Sequence, residues 1–352
     1  MDGVRHVRRH GRRWLGAGAG ALALMASLAT AGPSGAQVDL VCLLGPCPEP
    51  QPAPTARRLV FTRDAGRGLD LYVLDTQTDQ PTPLSVNTPA SERDAAMSPD
   101  GASMAFVSNR DGDYDVYVVA LKTSGAPVRK LLDTGVDEFG PTWSPDGSRI
   151  AYQTSNKLRA GIAEIRIVPA SGGTSTLLTD RDGSEARPAW SPDGTRIAAS
   201  VSTPTGPEIA VFTVNGSSPP VQVTKTMSEV VENTPDWSPD GNWLLFSRQR
   251  TTYNNKGQAQ YSENEVAAVQ PRDSEGDGVG DEFHVVYRRE GDELLTQPDW
   301  HPDGRAFAVS IGTAADLVKV NVTTSPLRVT AGLAEHLTKG MQLDWQPEWW
   351  KD

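Results

Sequence analysis

The stretch Pro141-Thr142-Trp143-Ser144-Pro145-Asp146-Gly147 constrains this chain more than any other, because it recurs at an almost constant interval. Counted at the tryptophan, the copies fall at Met97, Trp143, Trp190, Trp237, Trp300 and Trp345, with gaps of 46, 47, 47, 63 and 45 residues. His301 replaces the serine in the fifth copy, and the last reads Trp-Gln-Pro-Glu. Proline presets φ at the second position of a tight turn, aspartate bonds the backbone that follows it, and glycine accepts positive φ. Ser-Pro-Asp-Gly is therefore a turn. The tryptophan before it ends a strand and is large enough to fill the wedge between neighbouring sheets. The runs Arg149-Ile150-Ala151-Tyr152, Arg196-Ile197-Ala198-Ala199 and Trp243-Leu244-Leu245-Phe246 begin the next strand. A period in the forties with several short strands per unit predicts an all-β chain, a six-bladed β-propeller of four-stranded antiparallel blades.

The two ends of the repeat array complement each other. Leu59-Val60-Phe61-Thr62 and Leu69 to Leu74 precede the first turn, while little sequence follows the last. Met341 to Trp345 is expected to supply the inner strand of a blade whose other strands come from residues 58 to 85, so that N- and C-terminal strands share one blade. Such sharing removes two sheet edges that would otherwise template aggregation. The propeller is expected to span 58–349, and a seventh blade would need about another 45 residues. The 63-residue gap carries 16 residues more than its 47-residue neighbours, divided between Arg248 to Ser262 and Pro271 to Glu282. Alternating connections in an up-and-down blade put Pro271 to Glu282 on the face of the Ser-Pro-Asp-Gly turns. Arg248 to Ser262, read as a polar loop bearing Arg250, Tyr253, Lys256 and Tyr261, falls on the opposite face.

Residues 1–36 read as an export signal: Arg5, Arg8, Arg9, Arg12 and Arg13, then an apolar run from Leu15 to Ala31, then small residues where cleavage could occur. The mild hydrophobicity and 17-residue length of that run argue against a permanent transmembrane anchor. Arg12-Arg13-Trp14-Leu15 partly resembles a twin-arginine signal. Without this leader the chain goes from 33 basic and 44 acidic residues to 28 and 43, a net of −15. A surface so acidic repels phosphate backbones, which argues against a nucleic-acid partner. Residues 37–57 form a proline-rich linker carrying Cys42 and Cys47, whose expected state in an exported chain is a small disulfide loop. Val41 makes a poor lipidation context for Cys42. The expected location is periplasmic or extracellular, as a monomer.

Trp-Ser-Pro-Asp-Gly followed by an apolar strand resembles the repeat of TolB-type propellers, seen also in the propeller domains of prolyl-oligopeptidase-like enzymes. The resemblance runs from about residue 57 to 349, with full copies at Trp143, Trp190 and Trp237. It implies the fold far more firmly than a function. Neither the α/β domain that precedes the TolB propeller nor a hydrolase domain is expected in this sequence. The residues agree: no Gly-x-Ser-x-Gly turn, His-Glu-x-x-His pair or phosphate-binding glycine loop occurs beyond the leader, and His284, His301 and His336 are scattered.

Two constellations remain as candidate sites. Seven residues before each turn proline stand Glu92, Glu138, Glu185 and Glu232, then Leu295 and Gly340. Equivalent positions in a ring become neighbours about its axis. These carboxylates are expected to rim the channel mouth and favour a small cationic ligand or a basic peptide segment; the alternative is that each only caps a loop between blades. The second constellation is Asp273, Glu275, Asp277, Asp281 and Glu282, interleaved with glycines. Its alternating carboxylates suit an oxygen-loving cation such as calcium. It resembles the Asp-rich calcium repeats of thrombospondin-like modules; a Gly/Asp-rich surface loop is the alternative. Together these features predict an exported, non-catalytic binding or scaffolding propeller with a protein or peptide partner in the cell envelope. The rival is a propeller enzyme, hydrolase or lyase, or a carbohydrate-binding propeller, which aromatic residues and a carboxylate pair at a channel mouth would favour.

Overall fold

The computed structural model describes residues 58–350, apart from 79, 124, 156–161, 180–182, 217, 226–228, 257–258, 273–279, 291–292, 313–315, 325–326, 330–334 and 338–347. Every regular element among them is a β-strand. No helix among the described residues is long and apolar enough to cross a membrane.

Each Ser-Pro-Asp-Gly turn closes as its chemistry dictates. At Ser144 the hydroxyl donates to Asp146 Oδ1 (2.6 Å) and accepts from the Arg149 amide (2.9 Å), while Asp146 Oδ1 also accepts from the Ser148 amide (3.0 Å). The same bonds recur at Ser98, Ser191 and Ser238. His301 stands at the serine position with its Nδ1 2.7 Å from Asp303 Oδ1. Successive turns also touch. Gly194 has φ +69°, which is what calls for glycine; a Cβ there would meet the Cδ of Pro145 in the preceding turn at an ordinary contact distance of 3.6 Å.

Between the turns the strands pair into six antiparallel sheets. Going round the ring, the first holds Glu348–Trp350, Arg58–Asp64, Leu69–Asp75 and Gln80–Pro83, from inside outward. The second holds Glu92–Met97, Ser103–Ser108, Asp115–Ala120 and Arg129–Lys130, and the third Glu138–Trp143, Arg149–Ser155, Ala163–Pro169 and Thr176–Leu177. The fourth holds Glu185–Trp190, Arg196–Thr203, Gly206–Thr213 and Val221–Gln222, and the fifth Val230–Trp237, Leu244–Tyr253, Ala259–Gln270 and Asp281–Glu290. The sixth holds Leu295–Trp300, Ala306–Ile311, Asp316–Thr324 and Leu327–Val329, with Glu335–His336 also pairing its third strand.

The core lies between blades. Trp190 packs with Ala151 and Ile167 of the preceding sheet, Trp237 with Ala198 and Val211, and Trp300 with Leu245 and Ala268. Arg149 lies over the Trp190 ring (4.8 Å) and Arg196 over that of Trp237 (4.6 Å), covering the outer faces of these wedges.

Two sequence expectations are corrected here. The inner strand of the first blade is Glu348–Trp350, paired with Arg58–Asp64 so that Trp349 faces Leu59. Trp143 faces Ile150 and Trp190 faces Ile197 in the same way, so the sixth repeat position is Trp349; the anticipated strand, Met341 to Trp345, lies outside the described residues. The Arg248 to Ser262 insertion is mostly strand rather than loop. The second and third strands of the fifth blade run 10 and 12 residues, against 6 and 6 in the second blade, because Thr251↔Ser262 and Thr252↔Tyr261 continue the ladder.

A candidate ligand site in the axial channel

The inner strands wall the channel, and in the second to sixth blades the innermost ladder is interrupted midway. A register shift falls between Arg93 and Ala96, Phe139 and Thr142, Ala186 and Ala189, Asn233 and Asp236, and Thr296 and Asp299. At each shift one residue takes a left-handed backbone: Asp94 (φ 50°), Gly140 (55°), Arg187 (56°), Thr234 (53°) and Gln297 (51°). In four of the five a proline follows, Pro141, Pro188, Pro235 and Pro298. A proline is tolerated because the inward edge of an innermost strand has no ladder partner to lose. A left-handed conformation costs a side-chain-bearing residue about 1–2 kcal/mol. Strain repeated at one level of a ring is the kind held in place at binding sites.

These bulges form a waist of about 110 Å³, whose walls include Gly140, Arg187, Thr234, Asp236, Gln297 and Asp299. On the side where the inner strands start, it opens into a mouth cavity of about 440 Å³ that shares Arg187 and Thr234 with the waist. Phe139, Val231 and Leu294 give that mouth apolar surface, and Arg93, Arg187 and Arg248 give it charge. The lengthened strands of the fifth blade rise beside it, since Val230, at the start of an inner strand, pairs with Arg250. On the turn side a cavity of about 300 Å³ is ringed by Met97, Trp143, Trp190, Trp237, Trp300 and Trp349, with Asp236 and Asp299 among them.

Charge is therefore distributed unevenly along the axis. Arg93 Nε lies 3.1 Å from Asp94 Oδ1 and Arg187 Nη1 lies 3.6 Å from Asp94 Oδ2, which also accepts from the Gly140 amide (3.0 Å). Asp94 thus faces two guanidinium groups that line the mouth. Burial alone would raise the Asp94 carboxyl, but Arg187, Arg93 and the Gly140 amide outweigh it and hold its pKa below the ordinary range. Arg248 is saturated differently, with Glu232 at 3.2 Å and Glu265 at 2.6 Å. At the turn end, Asp236 Oδ2 accepts from the Trp300 amide (2.7 Å) and Asp299 Oδ2 from the Trp349 amide (3.0 Å), linking successive inner strands.

The structure does not place the four glutamates on the rim. Glu92, Glu138, Glu185 and Glu232 are 0%, 0%, 1% and 2% exposed, and none lines the mouth cavity. Their side chains turn back under the crossover from the preceding blade. Glu92 accepts from the Thr88 amide and hydroxyl (3.0 and 2.6 Å), Glu138 from the Thr134 hydroxyl, and Glu185 from the Thr179 hydroxyl (3.2 Å). The physical reason is the alternation of the strand: Phe139, next to Glu138, faces the channel, so Glu138 faces away. Of the proposed calcium ligands, Asp273, Glu275 and Asp277 lie outside the described residues, as do Cys42 and Cys47. Asp281 starts the outer strand of the fifth blade, and Glu282, exposed, accepts from Gln270 (3.2 Å). Sequence reasoning missed Asp94, Arg187, Thr234 and Gln297. For the last three the signal was the proline two residues before Trp190, Trp237 and Trp300, which marks the bulge; the repeat of Asp94 has Ala95 there and carries no such signal.

Burial leaves two of these glutamates, Glu138 and Glu232, sensitive to pH. Loss of water raises the Glu138 carboxyl, Thr134 draws it partly back and Asp115 adds to the rise, to about 7 from an ordinary 4.5. Between those values the native state holds a proton that the unfolded chain has released, so this group's contribution to stability falls as pH rises. Glu138→Gln cannot ionise. Its thermal midpoint is expected to decline less than that of the wild type between pH 5 and 8, and an equal decline in both would refute the assignment.

Six four-stranded blades about a polarised axial passage define the class: a β-propeller with a ligand-sized channel. The family profile of the TolB beta propeller domain matches residues 33–181 and 123–275. The chain belongs to the TolB beta propeller family. Among solved structures, TolB from Acinetobacter baumannii is similar at a TM-score of 0.61 and 19% identity, over 85% of this chain and 68% of that one. An oligogalacturonate lyase from Vibrio parahaemolyticus is similar at 0.52 and 14%, over 80% and 74%. A curated relative, the uncharacterized peptidase YuxL of Bacillus subtilis (strain 168), is 31% identical over 114 residues, 30% of this chain and 17% of that protein. The chain thus spans under a fifth of that relative's length. Relatives of this fold include TolB, peptidase and lyase proteins, so family membership by itself leaves the activity open.

Proposed function

We propose that this is an exported, non-catalytic binding propeller of the cell envelope that holds a segment of a partner protein in the mouth on the inner-strand-start side of its channel. The observation that carries the reading is the mouth itself. About 440 Å³ of space combines apolar surface from Phe139, Val231 and Leu294 with fixed guanidinium groups, and the lengthened fifth blade stands beside it. This mixture suits a chain segment with an apolar side chain and a negative group. The mouth is lined by Arg93, Arg187 and Arg248 and by no carboxylate, which turns the ligand preference toward acidic groups, away from the cationic ligand that an acidic rim would have favoured. Val231→Asp and Leu294→Asp are each expected to abolish capture of envelope proteins by the immobilised propeller. Ser148→Asp, on a turn of the other face, is expected to leave capture intact. Capture that survives both mouth variants would overturn the reading.

One observation favours a catalytic or carbohydrate-binding alternative: tryptophan rings and the Asp236 and Asp299 carboxylates share the cavity on the turn side. The rings there are used as wedges. Trp190, Trp237, Trp300 and Trp349 are 7%, 4%, 4% and 3% exposed, and Trp143 and Trp237 donate their indole N–H to the Ala96 and Ala189 carbonyls. Little of their ring surface is left to stack on a sugar.

A further inference from the structure

Among the glutamates that start the inner strands, Glu138 is held differently from Glu92 and Glu232. Glu92 has Arg110 at 3.2 Å and Glu232 has Arg248 at 3.2 Å, whereas no lysine or arginine among the described residues pairs with Glu138. It is 0% exposed; Oε1 accepts from the Thr134 hydroxyl, and Oε2 has no hydrogen-bond partner among the described residues. Its neighbours are acids. The Glu138 amide donates to the Tyr114 carbonyl (2.7 Å) and the Tyr114 amide donates to Asp137 Oδ1 (3.0 Å), so Asp113 and Asp115, on either side of Tyr114, stand against the start of this strand. Asp115 is fully buried, and its counter-ion, Lys130 at 2.8 Å, is shared with Asp111 (3.0 Å) and Asp133 (3.1 Å). Within the third blade Glu138 pairs with Thr154, which pairs with Glu164, itself 3.7 Å from Arg166; Tyr152 also lies within reach of the Glu138 charge.

Three carboxylates already share the Lys130 ammonium, so Glu138 is left without a counter-ion in a dry site, where an unpaired charge is costly. With a proton it is neutral and tolerates the place. Without one its charge faces Asp115 and Asp113, and burial together with these carboxylates lifts its pKa to about 7. Burial raises Asp115 as well, to about 6, so Asp115 ionises before Glu138 does. The least costly relief is movement. The crossover that leads into Glu138 runs at the surface, with Asp133 and Gly135 exposed, so the start of the strand can swing toward water by giving up its two bonds to Tyr114. Phe139 follows directly in the chain. Its ring packs on Tyr114, 5.3 Å between centroids, with Arg93 5.7 Å from it, and it is part of the apolar wall of the mouth.

We propose that the Glu138 proton is a latch at the seam of the second and third blades: while it is held, the crossover stays down and Phe139 keeps its place in the mouth wall, and its loss releases both. The mouth is then better ordered in mildly acid surroundings than in alkaline ones. The latch concerns the wall and not what enters the mouth, so it stands or falls separately from the binding reading.

The test is hydrogen exchange of the full chain between pH 6 and 8.5, read at the Glu138 and Tyr114 amides and corrected for the intrinsic pH dependence of exchange. Their protection is expected to fall at least about ten-fold over this range, because each pH unit above the titration multiplies the ionised, open form by about ten. The Val322 amide, bonded to the Arg305 carbonyl in the sixth blade, is the reference and is expected to keep its protection. Glu138→Gln keeps the shape and has no proton to lose, so its profile is expected to be flat. Asp115→Asn removes a facing like charge and is expected to move the midpoint of the fall down by about one pH unit. The wild-type profile needs no variant, so it stands even if a substitution disturbs folding. Protection that stays level at Glu138 and Tyr114, or that falls equally at Val322, would overturn the proposal. So would a fall that persists in Glu138→Gln, or a midpoint that Asp115→Asn leaves in place.

Discussion

Trp349→Ala is expected to lower the stability of the propeller by about 3–5 kcal/mol, the cost of removing a large buried aromatic. At about 2 °C of midpoint per kcal/mol for a domain of this size, that is a fall of roughly 6–10 °C in thermal denaturation. The side chain is 3% exposed and packs with Leu59, Phe61 and Leu74 of its own blade and Ala308, Leu317 and Leu337 of the sixth. The His301 ring stands edge-on to it, 4.5 Å between centroids, and its backbone amide is bonded to Asp299. The substitution therefore empties a wedge where blade six meets blade one. Trp345→Ala supplies the contrast: if Trp345 held the repeat position, as its spacing of 45 from Trp300 suggests, it would show the larger loss and Trp349→Ala the smaller. That result would show the register of the first blade to be wrong.

Asp94→Ala is the second large effect, again about 3–5 kcal/mol, because it leaves Arg93 and Arg187 without the carboxylate that both face. The alanine also loses the tolerance of aspartate for φ 50° and the acceptor of the Gly140 amide. Asp94→Asn keeps the shape and part of the hydrogen bonding, so it is expected to lose less. The pH dependence distinguishes charge from packing. With its folded pKa below 3.8, Asp94 contributes fully above the unfolded value, and the contribution is lost as pH falls through the folded one. The gap in urea-denaturation free energy between wild type and Asp94→Asn should therefore narrow in strong acid. A gap that is constant down to pH 2 would mean that packing, not charge, explains the loss.

The repeat made most of the ring legible. Pro145, Asp146 and Gly147 specify a turn through bonds among six consecutive residues, and that local chemistry repeats wherever the residues do. What failed was register at the one copy where the motif decays. Trp345-Gln346-Pro347-Glu348 imitates Trp-Ser-Pro-Asp, yet Pro347-Glu348-Trp349 matches the Pro-x-Trp of the other inner strands. Choosing the second alignment also replaces Gly340 by Asp344 in the glutamate register, which restores an acid there. The glutamates themselves were found correctly and placed on the wrong side of their strand. An alternating pattern says which residues share a face, but Arg93, Phe139 and Ala186 alternate with them equally well, and these line the mouth.

The sequence by itself determined that the chain is a ring of small antiparallel sheets, because tight turns and period-two strands depend on residues a few positions apart. Only the tertiary structure decided that arginines rather than the glutamates line the channel mouth, and that Gln297 lies in the waist. Those depend on which way each inner strand bulges, and that is settled by packing against blades about 47 residues away in the sequence.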